Sequence, residues 1–276
     1  MTRNGMRYEV ADVLTSIDDD IAPLLSGLQA DPIDLCRTAQ SLVALPELAT
    51  GFGIPQERHV EKNLRRASDI VRTVTALDPT PIDEARPLDR RVVGTCRHFA
   101  LLSCAFLRHQ GIAARARCGF ATYFIAGRYL DHWIIEYWHT AGKRWVRVDP
   151  EILDLEFVAT PDDLDEGAFW SGGEAWTLCR DEGVDPMLFG VHGAPDAWGI
   201  GEVRGNAIRD LAALNKVEML PWDEWGRMEA SYDGRTGPEY DELIDAVATA
   251  CASDEPSVIR SRYAAEDLRV PAAMIV

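Results

Sequence analysis

The chain has 276 residues, 47% of them hydrophobic and 26% charged, so it can bury a sizeable core as soluble globular proteins do. Its formal net charge of −17 argues against general binding to nucleic acid or to an anionic membrane surface, because both need a basic surface. No apolar run approaches a membrane span, the N-terminus lacks the apolar core of a signal peptide, and the six cysteines form no CxxC pair; we therefore expect a cytoplasmic protein with reduced thiols.

The first part of the chain is predicted to be helical. Apolar residues recur at helical spacing in 8–17, 31–45 and 55–77, and Asp31-Pro32 and Pro55 are start signals. Residues 78–89 are rich in proline and are predicted to be a connector. We interpret residues 1–85 as the helical N-terminal flank of a single domain that spans 1–276.

A buried helix followed by three strands is predicted for the middle of the chain. Thr95 fits the N-cap of a helix over about 95–110, and Gly111 fits its C-terminal stop. The period then changes to alternation in "IAARARCGFATYFI" (112–125), and "DHWIIEYWH" and "KRWVRVDP" predict two more strands joined at hairpin distance. This segment, 86–160, is interpreted as the core of the protein.

Residues 161–276 are predicted to be an irregular and helical C-terminal part. The stretch 151–200 has few regular signals, whereas 205–220 and 237–253 have helical spacing. Polar residues interrupt the apolar pattern at Arg204, Asn206 and Arg209. They form either a solvated face or a substrate-contact edge, and we name them as candidate substrate-binding residues.

A basic segment lies between acidic ones. From Arg86 to Arg147 the chain has eleven Arg or Lys residues and three acids, a local net of +8. Two interpretations are open. The basic residues pair with the acidic flanks in the folded protein, or they form a positive site for an anionic substrate.

Cys96 is the candidate nucleophile. A thiol nucleophile needs a lowered pKa, a base that exchanges its proton, and a group that orients the base. The start of a helix meets the first need through unpaired N–H groups and the helix dipole, and the same N–H groups suit an oxyanion. We therefore predict that Cys96 is ionised.

His132 and Asp149 fit the other two needs. By alternation, His132 lies on the same face of its strand as Glu136. A hairpin turn at 140–141 would place His132 and Asp149 directly opposite, and a turn one residue later would make them diagonal neighbours, roughly 7 Å apart or less. In either geometry the carboxylate can hold the imidazole, and the helix with Cys96 is predicted to pack over that face.

Three stretches together resemble the transglutaminase-like superfamily of cysteine acyl-transfer enzymes: "GTCRHFALLSCAFLRHQGIAARARCGF" (94–120), "DHWIIEYW" (131–138) and "RWVRVDPE" (144–151). The resemblance implies an α+β fold with a papain/transglutaminase-like core, in which the nucleophile helix packs on an antiparallel sheet with helical flanks. It implies Cys96 as nucleophile, His132 as base and Asp149 as the orienting residue.

The flank "RGNAIRDLAALNKVEMLPWDEWG" (204–226) resembles a bacterial branch of the same superfamily. That branch usually has an acid two residues after the cysteine, where this chain has His98, which leaves the local charge near the thiol open. Because His98 lies about 200 degrees round the helix from Cys96, we expect it to point away from the thiol and to be non-catalytic.

The predicted activity is thiol attack on an amide or thioester carbonyl, followed by transfer of the acyl group to an amine or to water. Alternatives are an amidase or cysteine peptidase that acts on a small molecule or peptide, and a non-catalytic binding module. A zinc hydrolase is disfavoured because the chain has no HExxH motif. We expect no cofactor and no metal, and a substrate that is a small molecule, a peptide or a carrier-bound acyl group, an anionic one included.

Overall fold

Helices and strands are interspersed along residues 6–275, the part of the chain that the computed structural model describes. The helices are α1 (Pro32–Leu42), α2 (Pro46–Ala49), α3 (Ala67–Leu77), α4 (Cys96–His109), α5 (Gly172–Asp181), α6 (Ile200–Leu214), α7 (Met228–Tyr232), α8 (Pro238–Ala252) and α9 (Pro256–Tyr263). The strands are β1 (Val43–Ala44), β2 (Val92–Val93), β3 (Ala114–Ala121), β4 (Tyr129–His139), β5 (Arg144–Val148), β6 (Phe169–Ser171) and β7 (Phe189–Gly190). The predicted α+β class with an antiparallel main sheet is confirmed.

The main sheet has a gap at one side of β4. Its strand order is β5-β4-β3-β6, all antiparallel, and β7 pairs in parallel with the start of β4. β3 occupies one side of β4 throughout, while on the other side β7 ends opposite Leu130 and β5 ends opposite Ile135. No strand of residues 6–275 therefore pairs with 131–134 on that side, and His132 lies in this gap.

Helix α4 packs on the sheet through an apolar face. Phe99, Leu102 and Phe106 belong to one buried cluster with Trp133 and Ile135 of β4. The prediction that α4 covers the face of His132 and Glu136 is therefore wrong: α4 lies on the alternate residues. The reason is polarity, because an apolar helix face is best buried against apolar side chains and the other face is charged.

The charged face of the sheet carries a network of ion pairs. Glu136 of β4 accepts hydrogen bonds from Arg115, Arg117 and Arg147, and Arg117 also pairs with Asp210 of α6. Arginines of the basic segment also pair with acids of the C-terminal part of the chain, in Arg108–Glu218, Arg144–Asp163 and Arg147–Glu174. These contacts favour the structural interpretation of the basic segment.

The N-terminal flank is less helical than predicted. Segment 8–17 forms turns, in which the Thr15 hydroxyl accepts from the Asp12 N–H and the Ser16 hydroxyl donates to the Val13 carbonyl. Such side-chain bonds compete with helical ones, which explains the failure. Segment 55–77 divides into a 3₁₀ helix over Gln56–Asn63 and α3.

Helix α5 lies inside 151–200, where few regular signals were found. The Ser171 hydroxyl accepts from the Glu174 N–H, and the Glu174 carboxylate accepts from the Ser171 N–H at 2.7 Å. This reciprocal cap is a sequence signal that the prediction missed. In the C-terminal part, the segment predicted helical from 205 to 220 is helical only as far as Leu214.

Candidate active site

Cys96 is the first residue of α4, and Thr95 is its N-cap. The Thr95 N–H donates to Nδ1 of His98 at 3.1 Å, so His98 closes the helix end in the way that glutamate or glutamine commonly does three residues after the cap. Gly94 makes this possible, because a Cβ at that position would lie 2.8 Å from both the His98 ring and the Val43 side chain. His98 therefore fills a structural role at the start of the helix.

His132 and Asp149 are hydrogen-bonded to each other. Ile135 pairs with Val148 and Glu136 with Arg147, so the hairpin turn is the later of the two that the sequence allowed and the two residues are diagonal neighbours. Nε2 of His132 lies 2.8 Å from Oδ2 of Asp149, and both side chains are almost fully buried. The other ring nitrogen, Nδ1, is left for a different partner.

Cys96 lies close to the ring of His132, which lowers the pKa of the thiol. The sulfur, a His132 ring nitrogen and a carboxylate oxygen of Glu151 all lie within 4.8 Å of one another. The structure thus brings together all three residues that the sequence assigned to a triad. It adds Glu151, which the sequence analysis quoted within a motif but did not assign.

Two contacts that the sequence did not reveal hold Asp149 in place. The Tyr123 hydroxyl donates to Oδ2 of Asp149, and the backbone N–H of Glu151 donates to Oδ1 at 2.9 Å. The ring of Phe124 lies edge-on to His132, with centroids 5.0 Å apart. Tyr123 and Phe124 lie near the end of the predicted strand 112–125, and no feature of their spacing distinguished them from ordinary aromatic residues of a core.

The acid–base state of the site differs from the prediction. Burial raises the pKa of the Cys96 thiol to about 11, and the hydrogen bond and charge of His132 oppose this rise without cancelling it. The prediction that the Cys96 thiol is ionised is therefore wrong for the resting site. Burial lowers the pKa of His132, but the Asp149 carboxylate outweighs burial and raises it well above the usual value.

Glu151, beside the thiol, also has a shifted pKa. Burial raises its pKa to about 7, with a further increase from the nearby Asp149 and Glu47 and a decrease from His132. Its Oε2 atom is buried and has no hydrogen-bond partner among the described residues. A buried carboxylate oxygen without a donor is costly, so this group is poised to receive a proton or a positively charged ligand.

Beside the site lies a cavity of about 670 Å³, whose lining does not include Cys96, His132 or Asp149. Phe99 of α4 and Glu151 both line it, and most of the remaining wall is apolar and comes from the N-terminal flank. Arg91 lines the same cavity and donates to the backbone carbonyls of Arg86 and Gln40. Within residues 6–275 no carboxylate lies at ion-pair distance from Arg91.

The three candidate substrate-binding residues lie elsewhere. Asn206 is fully buried and donates to Asp131, Arg209 is buried and donates to the Tyr232 hydroxyl, and Arg204 pairs with an acid of α8. Among the described residues, none of the three lines the cavity beside Glu151. Their contact with substrate stays a prediction, and the bonds they make favour a structural role.

In the range 6–275, none of the helices combines the length with the apolar character that crossing a bilayer demands. No curated protein and no solved structure matched the chain. A family model did match, and the resemblance seen in the three sequence stretches is thereby confirmed. Over residues 53–150, a span that contains Cys96, His132 and Asp149, the chain matches the model of the transglutaminase-like superfamily.

Proposed function

We propose that this protein is an enzyme that transfers acyl groups through a Cys96 thioester, with His132 as the acid–base group and Asp149 as the residue that orients and stabilises His132. The observation that carries the proposal is the placement of the Cys96 sulfur within 4.8 Å of a His132 ring nitrogen, together with the hydrogen bond between Nε2 of His132 and Asp149. Membership of the matched region in a superfamily that is commonly enzymatic supports it.

The reaction begins with a proton transfer between two of these side chains. The thiol proton passes to His132, and the sulfur bonds to the carbonyl carbon of an amide or thioester. When the tetrahedral intermediate collapses, the bond to nitrogen or sulfur breaks and His132 gives its proton to the leaving group. An amine or water then attacks the thioester and loses a proton to His132. The carbon–sulfur bond breaks, and His132 returns its proton to the sulfur, which regenerates the thiol.

The raised pKa of His132 suits this role. A thiol with a pKa of about 11 is a poor nucleophile until it loses its proton. Asp149 makes the imidazole a stronger base and stabilises the imidazolium that forms. Ionisation of the thiol is therefore coupled to the presence of His132. A bound substrate would exclude water from the site, which strengthens the electrostatic interaction between Cys96 and His132.

The cavity next to Glu151 is the proposed acyl-donor pocket. Its volume fits a small molecule or a peptide segment, and its apolar wall suits an acyl chain. Arg91, which has backbone carbonyls as its partners, is suited to an anionic end of that substrate or of a carrier. The reducing cytoplasm is the compartment in which such a thiol stays available.

An activated ester tests the proposal without knowledge of the natural substrate. On mixing with p-nitrophenyl acetate, we expect a burst of one nitrophenolate per chain and one acetyl group on Cys96, read by intact and peptide mass. Cys96→Ala should abolish the burst. Cys179→Ala is the matched control, because Cys179 is also partly buried with a pKa raised to about 11 by burial, and it should leave the burst intact.

The acceptor distinguishes a transferase from a hydrolase. If added amines accelerate loss of the acetyl group and carry it away, the enzyme is a transferase; if water alone resolves the thioester, it is an amidase or peptidase. Acylation that is no faster at Cys96 than at Cys179 would instead identify a non-catalytic binding module. Trapping of an adduct from cell extract on the slow variant Asp149→Asn would give the mass of the natural acyl group.

A further inference from the structure

A second use of the same cluster follows from the position of Glu151. Cys96, His132 and Glu151 present a sulfur, an imidazole nitrogen and a carboxylate oxygen, which are the three kinds of atom that bind zinc in proteins. These atoms lie within 4.8 Å of one another, and donors around one tetrahedral zinc lie roughly 3.3–3.8 Å apart. Side-chain rotations that move the donor atoms by about an ångström would bring them to the distances of a tetrahedral zinc site.

We propose that Cys96, His132 and Glu151 form a binding site for Zn²⁺, and that the bound ion reversibly blocks the thiol. Coordination replaces the thiol proton, which goes to solvent, with a bond from the sulfur to the metal. Three protein ligands leave a fourth tetrahedral position for water or an anion. The proposal that the site binds zinc does not depend on the acyl-transfer proposal. The statement that the metal and the acyl group exclude each other does rest on the acyl-transfer proposal.

The ring of His132 is already oriented for a metal. Its Nε2 is hydrogen-bonded to Asp149, which leaves Nδ1 as the nitrogen for a metal, and a carboxylate behind a histidine is the usual outer support of a zinc ligand. Asp149 is itself held by Tyr123 and by the Glu151 backbone. The nitrogen that would bind zinc is thus fixed before the ion arrives.

Glu151 supplies the observation that distinguishes this site from an ordinary thiol–imidazole pair. Its buried Oε2 has no hydrogen-bond donor within residues 6–275, although the backbone on either side is firmly held by Asp149 and Gln40. A cation beside that oxygen would provide the missing partner. Mg²⁺ prefers oxygen ligands and octahedral geometry, so it should not compete at a site with a thiolate.

Titration of the purified chain with Zn²⁺ alone tests the site. We expect one ion per chain by calorimetry, and protection of Cys96 from iodoacetamide by one equivalent of Zn²⁺ but not by Mg²⁺, with reactivity restored by a chelator. Glu151→Gln keeps the shape and removes the charged ligand, so the affinity should fall by at least about tenfold. Glu47→Gln removes a neighbouring exposed carboxyl that is no ligand and should change the affinity much less.

Two results would overturn the proposal. One is absence of stoichiometric Zn²⁺ binding to a folded protein whose Cys96 still forms an acetyl adduct. The other is a Glu151→Gln variant, folded by circular dichroism, that binds Zn²⁺ as tightly as the unmodified chain. Acyl transfer has its own readout in the ester burst, so failure of that proposal would leave a positive zinc titration standing.

Discussion

Two glutamates near the same sheet have opposite surroundings. Glu136 on β4 accepts hydrogen bonds from three arginines, and although burial alone raises its pKa, those arginines hold the pKa well below its usual range. Glu151, just beyond β5, has a buried oxygen with no donor in the described part of the chain, and burial raises its pKa to about 7.

The difference separates structure from function. A buried charge that is fully paired fixes the packing of the elements around it and offers nothing to a ligand. A buried acid with a free oxygen stores an unfavourable interaction that a proton, a substrate or a metal can relieve. The charged face of the sheet is therefore a framework, while the gap beside His132 is where the proposed reaction would take place.

The largest effect is expected at the framework. Glu136→Gln leaves Arg115, Arg117 and Arg147 without their shared negative charge, and breaking a buried ion network by removal of one partner costs about 3–5 kcal/mol. Urea unfolding would measure the loss. Glu174→Gln is the control, because Glu174 pairs with Arg147 at the surface edge and should cost about 1 kcal/mol or less. Equal losses in the two variants would contradict the contrast.

A change of opposite sign is expected at Glu151. The folded-state pKa of about 7 lies above the ordinary glutamate value, so the stability that this group contributes is present below pH 4.5 and is lost as pH rises through 7. Glu151→Gln does not ionise and escapes this loss. The variant should match the unmodified chain near pH 4.5 and be more stable by roughly 1–3 kcal/mol at pH 8.

Urea unfolding at both pH values gives the comparison. Glu47→Gln again serves as a control, since an exposed carboxyl should change stability little at either pH. A Glu151→Gln variant that is less stable than the unmodified chain at pH 8 would show that the carboxylate is paired after all, and would remove the distinction between the two glutamates.

A third prediction concerns the reactivity of the thiol. His132 lowers the pKa of Cys96 through its hydrogen bond and charge, so His132→Ala should raise that pKa by at least one unit and slow alkylation by iodoacetamide at least about tenfold near pH 8. In the unmodified chain the rate at Cys96 should keep rising up to about pH 11. Peptide mass spectrometry after timed labelling would follow the rates.

Cys179 is the internal reference for this measurement. Its pKa is also raised to about 11 by burial, and the next contribution is the charge of Asp185, which raises the pKa further. His132→Ala should leave its alkylation rate unchanged. A parallel change at both cysteines would indicate general loosening of the fold, and no change at Cys96 would refute the coupling between thiol and imidazole.

Sequence reasoning found the parts of the site that depend on local pattern. The start of α4 at Cys96 follows from capping, and the positions of His132 and Asp149 follow from strand alternation and a short hairpin. It failed where long-range packing decides. The face that α4 covers and the pKa of Cys96 both depend on which groups exclude water, and spacing does not contain that information.

Glu151 shows the same limit. The sequence places it two residues after Asp149, next to a proline, where a turn explains both residues without any chemistry. Its position beside Cys96 and His132 becomes clear once the gap in the sheet is known, because β5 ends opposite Ile135 and the chain continues beside His132. Tyr123, whose hydroxyl supports Asp149, was hidden for a similar reason at the other end of β3.

The smallest predicted effect tests a buried polar group with a structural role in the helix cap, two residues after Cys96. His98 accepts from the Thr95 N–H, and burial, with the adjacent Arg97 charge, lowers its pKa to about 3. Its stabilising contribution is present above pH 6.5 and is lost as pH falls towards 3, because the unfolded chain takes up a proton that the folded chain refuses.

Glutamine can accept the same hydrogen bond and does not titrate. His98→Gln should therefore stay within about 1 kcal/mol of the unmodified chain at pH 7.5. Between pH 7.5 and 6.0 it should lose about 1 kcal/mol less stability. Urea unfolding at the two pH values measures this difference, and the ester burst at Cys96 should persist. A purely structural cap leaves the chemistry of the thiol unchanged. If the burst disappeared while the fold remained intact, His98 would therefore take part in the reaction, and it would be grouped with Glu151 and not with Glu136.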